Sequence, residues 1–370
     1  MELVPAGPID VTPDPWQRLV AIGGLVAAFG SILSVLFVAI GLYITNEANR
    51  QTSEANREQQ RLTAQGQITD RFTRAVEQLG QPGTEKVDVR LGAIYALERI
   101  MRDSAEDQPA VVDILAAFIR VHAPAPSQAR SAPATTRPTE RVPSHPPVDI
   151  QAALTVLGRR DITRDGSDLD GREADRPVGW TAAPGAAPQR RPDVLDLSNT
   201  NLAGADLAGG NLAGADLAGA NLAGADVAGG NLAGANLIRA NLAGADLAGA
   251  NLAGVDLWSA NLVEAGLESA NLNHARLVYA DLTDADLTDA DLHLATLFDA
   301  NLHRADLTRA DLTRANLETA RLIYADLTGA DLTDAKLLGT SLACATTDDR
   351  TRMPKFGGTA VPRPTPCPEE

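Results

Sequence analysis

Aromatic residues make up only 4% of these 370 residues, and cysteine occurs twice. So few rings exclude a core built on large aromatic side chains and point to a narrow aliphatic interior. Cys344 and Cys367 stand late in the chain. They make no disulfide framework and fit a reducing compartment. Positive charge is scarce: 32 Lys and Arg against 48 Asp and Glu leave a net charge of −16. That balance disfavours direct contact with nucleic-acid phosphates. No G-x-x-x-x-G-K-[ST] loop and no dinucleotide fingerprint is present. His274, His293 and His303 have no His or Cys companions at metal spacing. No Ser or Cys has a base and an orienting group in view. The sequence therefore points to no enzyme, no cofactor and no metal.

What is present is repetition. From Leu195 to Ala345 a unit A-(D/N)-L-x-x recurs, as in Ala205-Asp206-Leu207-Ala208-Gly209. Leu returns every fifth residue from 197 to 342, with Val227 the single replacement. A period of five draws no stripe on a helix, because successive Leu advance by about 500°. In extended backbone, residues two apart share a face. The small residue and the Leu then point inward and the Asp or Asn points outward. The two remaining residues turn a corner, so the chain winds into a solenoid.

These units closely resemble the pentapeptide-repeat family over roughly the last half of the chain. The resemblance implies a right-handed, four-sided parallel β-helix with twenty residues per coil, so the fold class is mainly β. About seven and a half coils at about 4.8 Å make a rod of about 35 Å. From 193 to 345 there are 18 Asp, 3 Glu, 6 Arg and 1 Lys, so the rod holds most of the negative charge.

Six segments follow from composition. Residues 1–18 are a short N-terminal segment, and 19–45 a transmembrane helix. Leu19 to Ile44 is uncharged, long enough to span a bilayer, and flanked by Trp16 and Tyr43. The acidic leader and the length of the run argue against a signal peptide. Arg18 stands alone before it, whereas Arg50, Arg57 and Arg61 follow it. That bias places the bulk of the chain in the cytoplasm, tethered to the cell membrane. Residues 46–123 form a juxtamembrane helical segment, broken at Gly80-Gln81-Pro82-Gly83. Residues 124–192 are a Pro-rich linker in which Asp149 to Arg160 forms a helix that could cap the rod. The β-helix follows at 193–345, and 346–370 is a flexible tail. The order of anchor, helices and rod resembles membrane proteins of actinomycetes.

With twenty residues per coil, positions twenty apart stack, and the sequence reads as a surface map. Trp258, Val278 and Phe298 stack after their Leu, with Ile238 before and Leu338 beyond, and Tyr279 beside them. This apolar ladder is a candidate partner-binding surface. It equally serves as simple support between coils. A second face stacks Asp206, Asp226 and Asp246, then Asp286, Asp306 and Asp326, with Gly266 between. Like charges about 4.8 Å apart repel by about 0.9 kcal/mol in water, so this acidic ladder would attract cations or a basic partner. A third face stacks Asn201, Asn221, Asn241 and Asn261 into an amide ladder. Arg304, Arg309 and Arg314 form a basic girdle on three faces of one coil.

Three readings of function remain. One is a membrane-tethered scaffold whose partners are the lipid bilayer, through residues 19–45, and an unidentified protein or a second copy of the chain. Another is a DNA mimic, since some members of the family resemble duplex DNA and bind DNA gyrase. The tail from Thr346 to Glu370 lacks the C-terminal helix through which such mimics dimerise. The third is a structural spacer, suggested by the uniform run from Ala203 to Ala250.

Overall fold

The computed structural model describes residues 15–125, 145–164 and 194–354. It divides into two units, Met1–Asp70 and Arg71–Glu370. The first is dominated by α1 (Pro15–Leu79), one continuous helix of 65 residues. Its apolar stretch has a mean hydropathy of 2.5 with none of it buried, and it is long enough to cross a membrane. Within that stretch Ser31 and Thr45 turn their hydroxyls back onto the carbonyls of Ala27 and Gly41, at 2.9 and 2.8 Å. Their polar atoms are thus satisfied inside the helix.

The second unit joins a small helical cluster to the repeat. α2 (Val87–Asp103), α3 (Gln108–His122) and α4 (Val148–Gly158) pack together and bury Ile94, Leu97, Leu115, Ile119, Ile150 and Leu154. One charged pair lies inside. The Arg90 guanidinium donates to Asp149 at 2.7 Å and to the carbonyls of Gln81 and Gly83 at 2.9 and 2.7 Å. Both charges are buried but fully engaged, which is the condition under which such a pair is tolerated.

From residue 194 the backbone turns every five residues, and each outward Asp or Asn bridges in parallel to the residue twenty positions on. Four such columns begin at Asp196, Asn201, Asp206 and Asn211, so the coil is four-sided. The Leu and Ala side chains fill the axis: Leu217, Leu282 and Leu307 are wholly inaccessible, as are Ala220 and Ala305. One expectation needs correction. Among the described residues the faces carry isolated bridges rather than extended strands. The reason is spacing. After each Leu the chain already enters the next corner, leaving one bridged residue per face.

Each corner is closed by a hydrogen bond from the following small residue to the Leu carbonyl, as from Ala220 to Leu217 at 3.0 Å. Coils are joined at both face and corner. Leu202 donates to Asn221 at 2.7 Å and Gly204 to Ala223 at 2.9 Å. The outward Asp or Asn also accepts the N–H two residues on, as Asp226 does from Ala228 at 3.1 Å.

The first coil has no coil before it, and the helical cluster takes that place. Asn201 donates to Ala123 and Asn211 to Gly158, at 2.7 and 2.8 Å. The Gln151 amide exchanges two bonds with the backbone of Asp206, at 2.6 and 3.0 Å. Arg160 reaches the carbonyls of Asn211 and Ala213, and Arg120 pairs with Asp196. Exposed backbone edges invite pairing with other chains, and these contacts close this one.

Candidate functional site

The corners decide what the rod presents. In every corner the second residue after Leu holds a positive φ, near 60°. Between 204 and 254 that residue is glycine, with Arg239 the exception. From Ser259 to Tyr324 it is never glycine. Those corners hold Glu264, His274, Tyr279, Asp284, Asp289, Leu294, Asp299 and three arginines among others. A side chain in this conformation costs roughly 1–2 kcal/mol. The second half of the rod thus trades backbone ease for projecting groups.

The apolar ladder becomes an aromatic corner. Tyr279 stands edge-on between Trp258 and Phe298, with centroids 6.1 and 6.2 Å apart and planes near perpendicular. The guanidinium of Arg239 lies 5.1 Å from the Trp258 ring centroid, in cation–π range. Stacking leaves Trp258, Val278, Phe298 and Ile238 half-buried, and only Tyr279, at 51%, and Leu338, at 77%, are well exposed. The sequence map missed a second corner of the same kind. Tyr324 is 52% exposed and meets His303 edge-on at 5.7 Å. The signal was available, because Tyr324 occupies the same slot of the five-residue unit as Tyr279.

The acidic column is in register: Asp206, Asp226 and Asp246 bridge in turn, then Gly266, Asp286, Asp306 and Asp326. Each carboxylate accepts a local N–H, as Asp286 does from Thr288 at 2.9 Å, which offsets part of the repulsion between neighbours. On the adjoining face Asn221, Asn241 and Asn261 each donate an amide to the Asn one coil before, at 2.8–2.9 Å. A matching column runs through Asn231, Asn251 and Asn271. The basic girdle is largely neutralised from the coil below. Arg304 pairs with Asp284 at 2.9 Å and Arg309 with Asp289 at 2.5 Å. Arg276 and Asp256 form a third such pair at 2.6 Å.

Three carboxyls sit below their ordinary range. The hydrogen bond from Arg309 lowers Asp289. Burial pushes Asp331 up, but bonds from Thr333 and Arg352 outweigh it. Donors from Gly329, Thr351 and Arg350 hold Asp348 down. His293 lies 2.6 Å from the Thr313 hydroxyl, and no group of His, Cys, Asp and Glu among the described residues could hold a metal ion. Cys344 is disulfide-bonded. That bond runs against the reducing compartment expected from the sequence, since disulfides persist mainly in oxidising surroundings.

A family model described as pentapeptide repeats matches residues 196–232, 231–267, 265–304 and 300–339, in eight copies. Among solved structures, HetL, a pentapeptide repeat protein involved in heterocyst differentiation regulation from the cyanobacterium Nostoc, is 35% identical over 40% of this chain and 79% of its own, with a TM-score of 0.23. Alr5209, a pentapeptide repeat protein from Nostoc, is 40% identical over 24% of this chain and 74% of its own, with a TM-score of 0.24. QnrB1, a plasmid-mediated fluoroquinolone resistance protein, is 19% identical over 42% of this chain and 83% of its own, with a TM-score of 0.35. No curated protein is significantly similar to the chain.

Proposed function

The chain belongs to the pentapeptide-repeat family, and from that premise we propose that it is a membrane-tethered, non-enzymatic scaffold that binds a protein partner through the decorated half of its rod. The observation that carries this reading is the corner built from Arg239, Trp258, Tyr279 and Phe298. It gathers rings on a largely polar solenoid, with Arg239 and Tyr279 held in the positive-φ backbone of the corners. Trp, Tyr and Arg are the side chains most often found as interface anchors. The exposed apolar stretch of α1 supports a membrane tether; the Arg bias after it favours a cytoplasmic rod, and the Cys344 disulfide counts against that side. We take the anchor at 19–45 and the rod at 193–345, although parallel bridges to Thr346 and Arg352 carry the last coil into the expected tail.

Proximity labelling in native membranes, from a ligase fused to the full chain, tests the interface. The Trp258→Ser, Tyr279→Gly pair should lose a specific labelled protein while the chain stays folded. An unchanged labelling pattern would remove the corner from the reading. Alkaline extraction tests the tether: the full chain should stay with the membrane, and deletion of 19–44 should release it.

The acidic column favours a second reading, mimicry of a nucleic acid toward an enzyme such as DNA gyrase. Residues 71–370 would then inhibit supercoiling in a purified assay. Replacing Asp286, Asp306 and Asp326 by Asn would abolish that inhibition, and no inhibition by the parent fragment would dismiss mimicry.

A further inference from the structure

The corner that holds Tyr279 carries opposite charges at its two ends. Arg239, Ser259, Tyr279 and Asp299 occupy the same slot of successive coils and share the positive-φ backbone. Backbone bonds from Arg239 to Trp258, Ser259 to Val278 and Tyr279 to Phe298, at 2.9, 2.9 and 3.1 Å, keep the column in register. Arg239, Tyr279 and Asp299 are exposed, and Ser259 is half-buried. Neither Arg239 nor Asp299 enters an ion pair among the described residues. Three coil spacings separate them, about 14 Å, which is too far for them to meet within one rod. The slot before this one holds Ile238, Trp258, Val278 and Phe298, all half-buried. Glycine would ease the backbone at 239, 279 and 299, so folding alone does not explain the side chains kept there.

Turned end for end, this corner matches itself. A two-fold axis perpendicular to the rod, set between the coils of Ser259 and Tyr279, brings Arg239 opposite Asp299 of a second copy, and Asp299 opposite its Arg239. The exposed Tyr279 ring then falls on Ser259, the smallest side chain of the column. Trp258 faces Val278, and Ile238 faces Phe298. Every apolar group meets an apolar group and each charge meets its opposite, twice over, as an isologous contact requires. Parallel rods would instead set Arg239 against Arg239 and Asp299 against Asp299, which costs rather than stabilises.

We propose that the chain pairs with a second copy of itself through this corner, the two rods antiparallel about that axis. The proposal rests on the reading of the corner as an interface and names its partner. Trp258 and Tyr279 supply the apolar anchor at the centre. Arg239 and Asp299 at the two ends fix register and direction.

Sedimentation equilibrium of the purified full chain in detergent tests this with no other protein present. The mass of the chain should double as its concentration rises. Arg239→Glu alone places like charges opposite one another twice, and so does Asp299→Arg alone. Each should raise the dimer dissociation constant by about tenfold or more. Mixed in equal amounts, the two variants should dimerise about as tightly as the parent, because the mixed pair restores both oppositely charged contacts. Misfolding of either variant could not produce that rescue. A mixture no tighter than its components overturns the proposal. Association that ignores both reversals assigns the contact to another surface and overturns it as well. A parent that stays monomeric at every concentration also overturns it, while leaving a foreign partner at the same corner; failure of the corner itself shows separately, as unchanged labelling with the Trp258→Ser, Tyr279→Gly pair.

Discussion

The two halves of the rod share an interior and differ at their corners. From 204 to 254 the corners are glycine except at Arg239, the faces are columns of Asn and Asp, and the helical cluster closes the end. From 259 to 324 the same backbone path carries Tyr, Arg, His, Glu and Asp in a strained conformation. The first half keeps glycine where the corner backbone is easiest for it. The second carries side chains at the same positions at a cost in backbone strain. Ion pairs between successive coils occur only in the second half among the described residues: Arg276 with Asp256, Arg304 with Asp284, Arg309 with Asp289 and Arg352 with Asp331.

If the interior is truly common, a core truncation must cost the same in both halves. Leu217→Ala and Leu307→Ala should each lose about 3 kcal/mol in urea unfolding, and a twofold disparity would break the comparison. The corners should respond with opposite signs. Gly224 has a φ of 65° and open space where a Cβ would go, so Gly224→Val should cost about 1–2 kcal/mol through backbone strain alone. Thr319 has a φ of 62°, and Thr319→Gly should gain about 1 kcal/mol or less, since glycine also loosens the unfolded chain. Like signs at the two sites would mean the corners are not equivalent. Asn241→Ala removes two amide bonds of the ladder and should cost about 1 kcal/mol, with no loss of membrane association.

The smallest effect should be with acid, and it should fall on the second half and the last coil of the rod. Asp289, Asp331 and Asp348 all have depressed pKa values when folded. Their contribution is therefore complete above the ordinary carboxyl pKa of 3.8 and is lost as pH falls through the lower folded values. Asp348→Asn should be less stable than the parent at about pH 5, and the difference should shrink as pH falls below 3.8. A difference that does not change with pH would show that its donors do not act through charge.

Much of this was legible in the sequence. The five-residue period dictates inward Leu and Ala, and stacking by twenty gives the Asn and Asp columns residue for residue. What was illegible lies where repetition stops. Nothing local tells that Gln151 bonds the backbone of Asp206, or that Arg160 reaches Asn211, because these contacts join unlike segments some fifty residues apart. The aromatic ladder was legible as a column but not as a surface. Tyr279 stands between Trp258 and Phe298, which are half-buried, and is itself the exposed ring. The period of five shows the faces but not the length its corners consume, and that length leaves single bridges where a β-helix suggests strands.

The twenty-residue register has a consequence for how such a chain can change in length. Inserting twenty residues lengthens the solenoid and leaves every column aligned. Inserting five advances everything beyond the insertion by a quarter revolution relative to the helical cluster at its start. A single duplicated unit near Gly234 would therefore swing Tyr279, Tyr324 and the second set of aspartates to a different compass bearing without disturbing one buried leucine. Such a chain can be re-aimed by a copying slip of fifteen nucleotides.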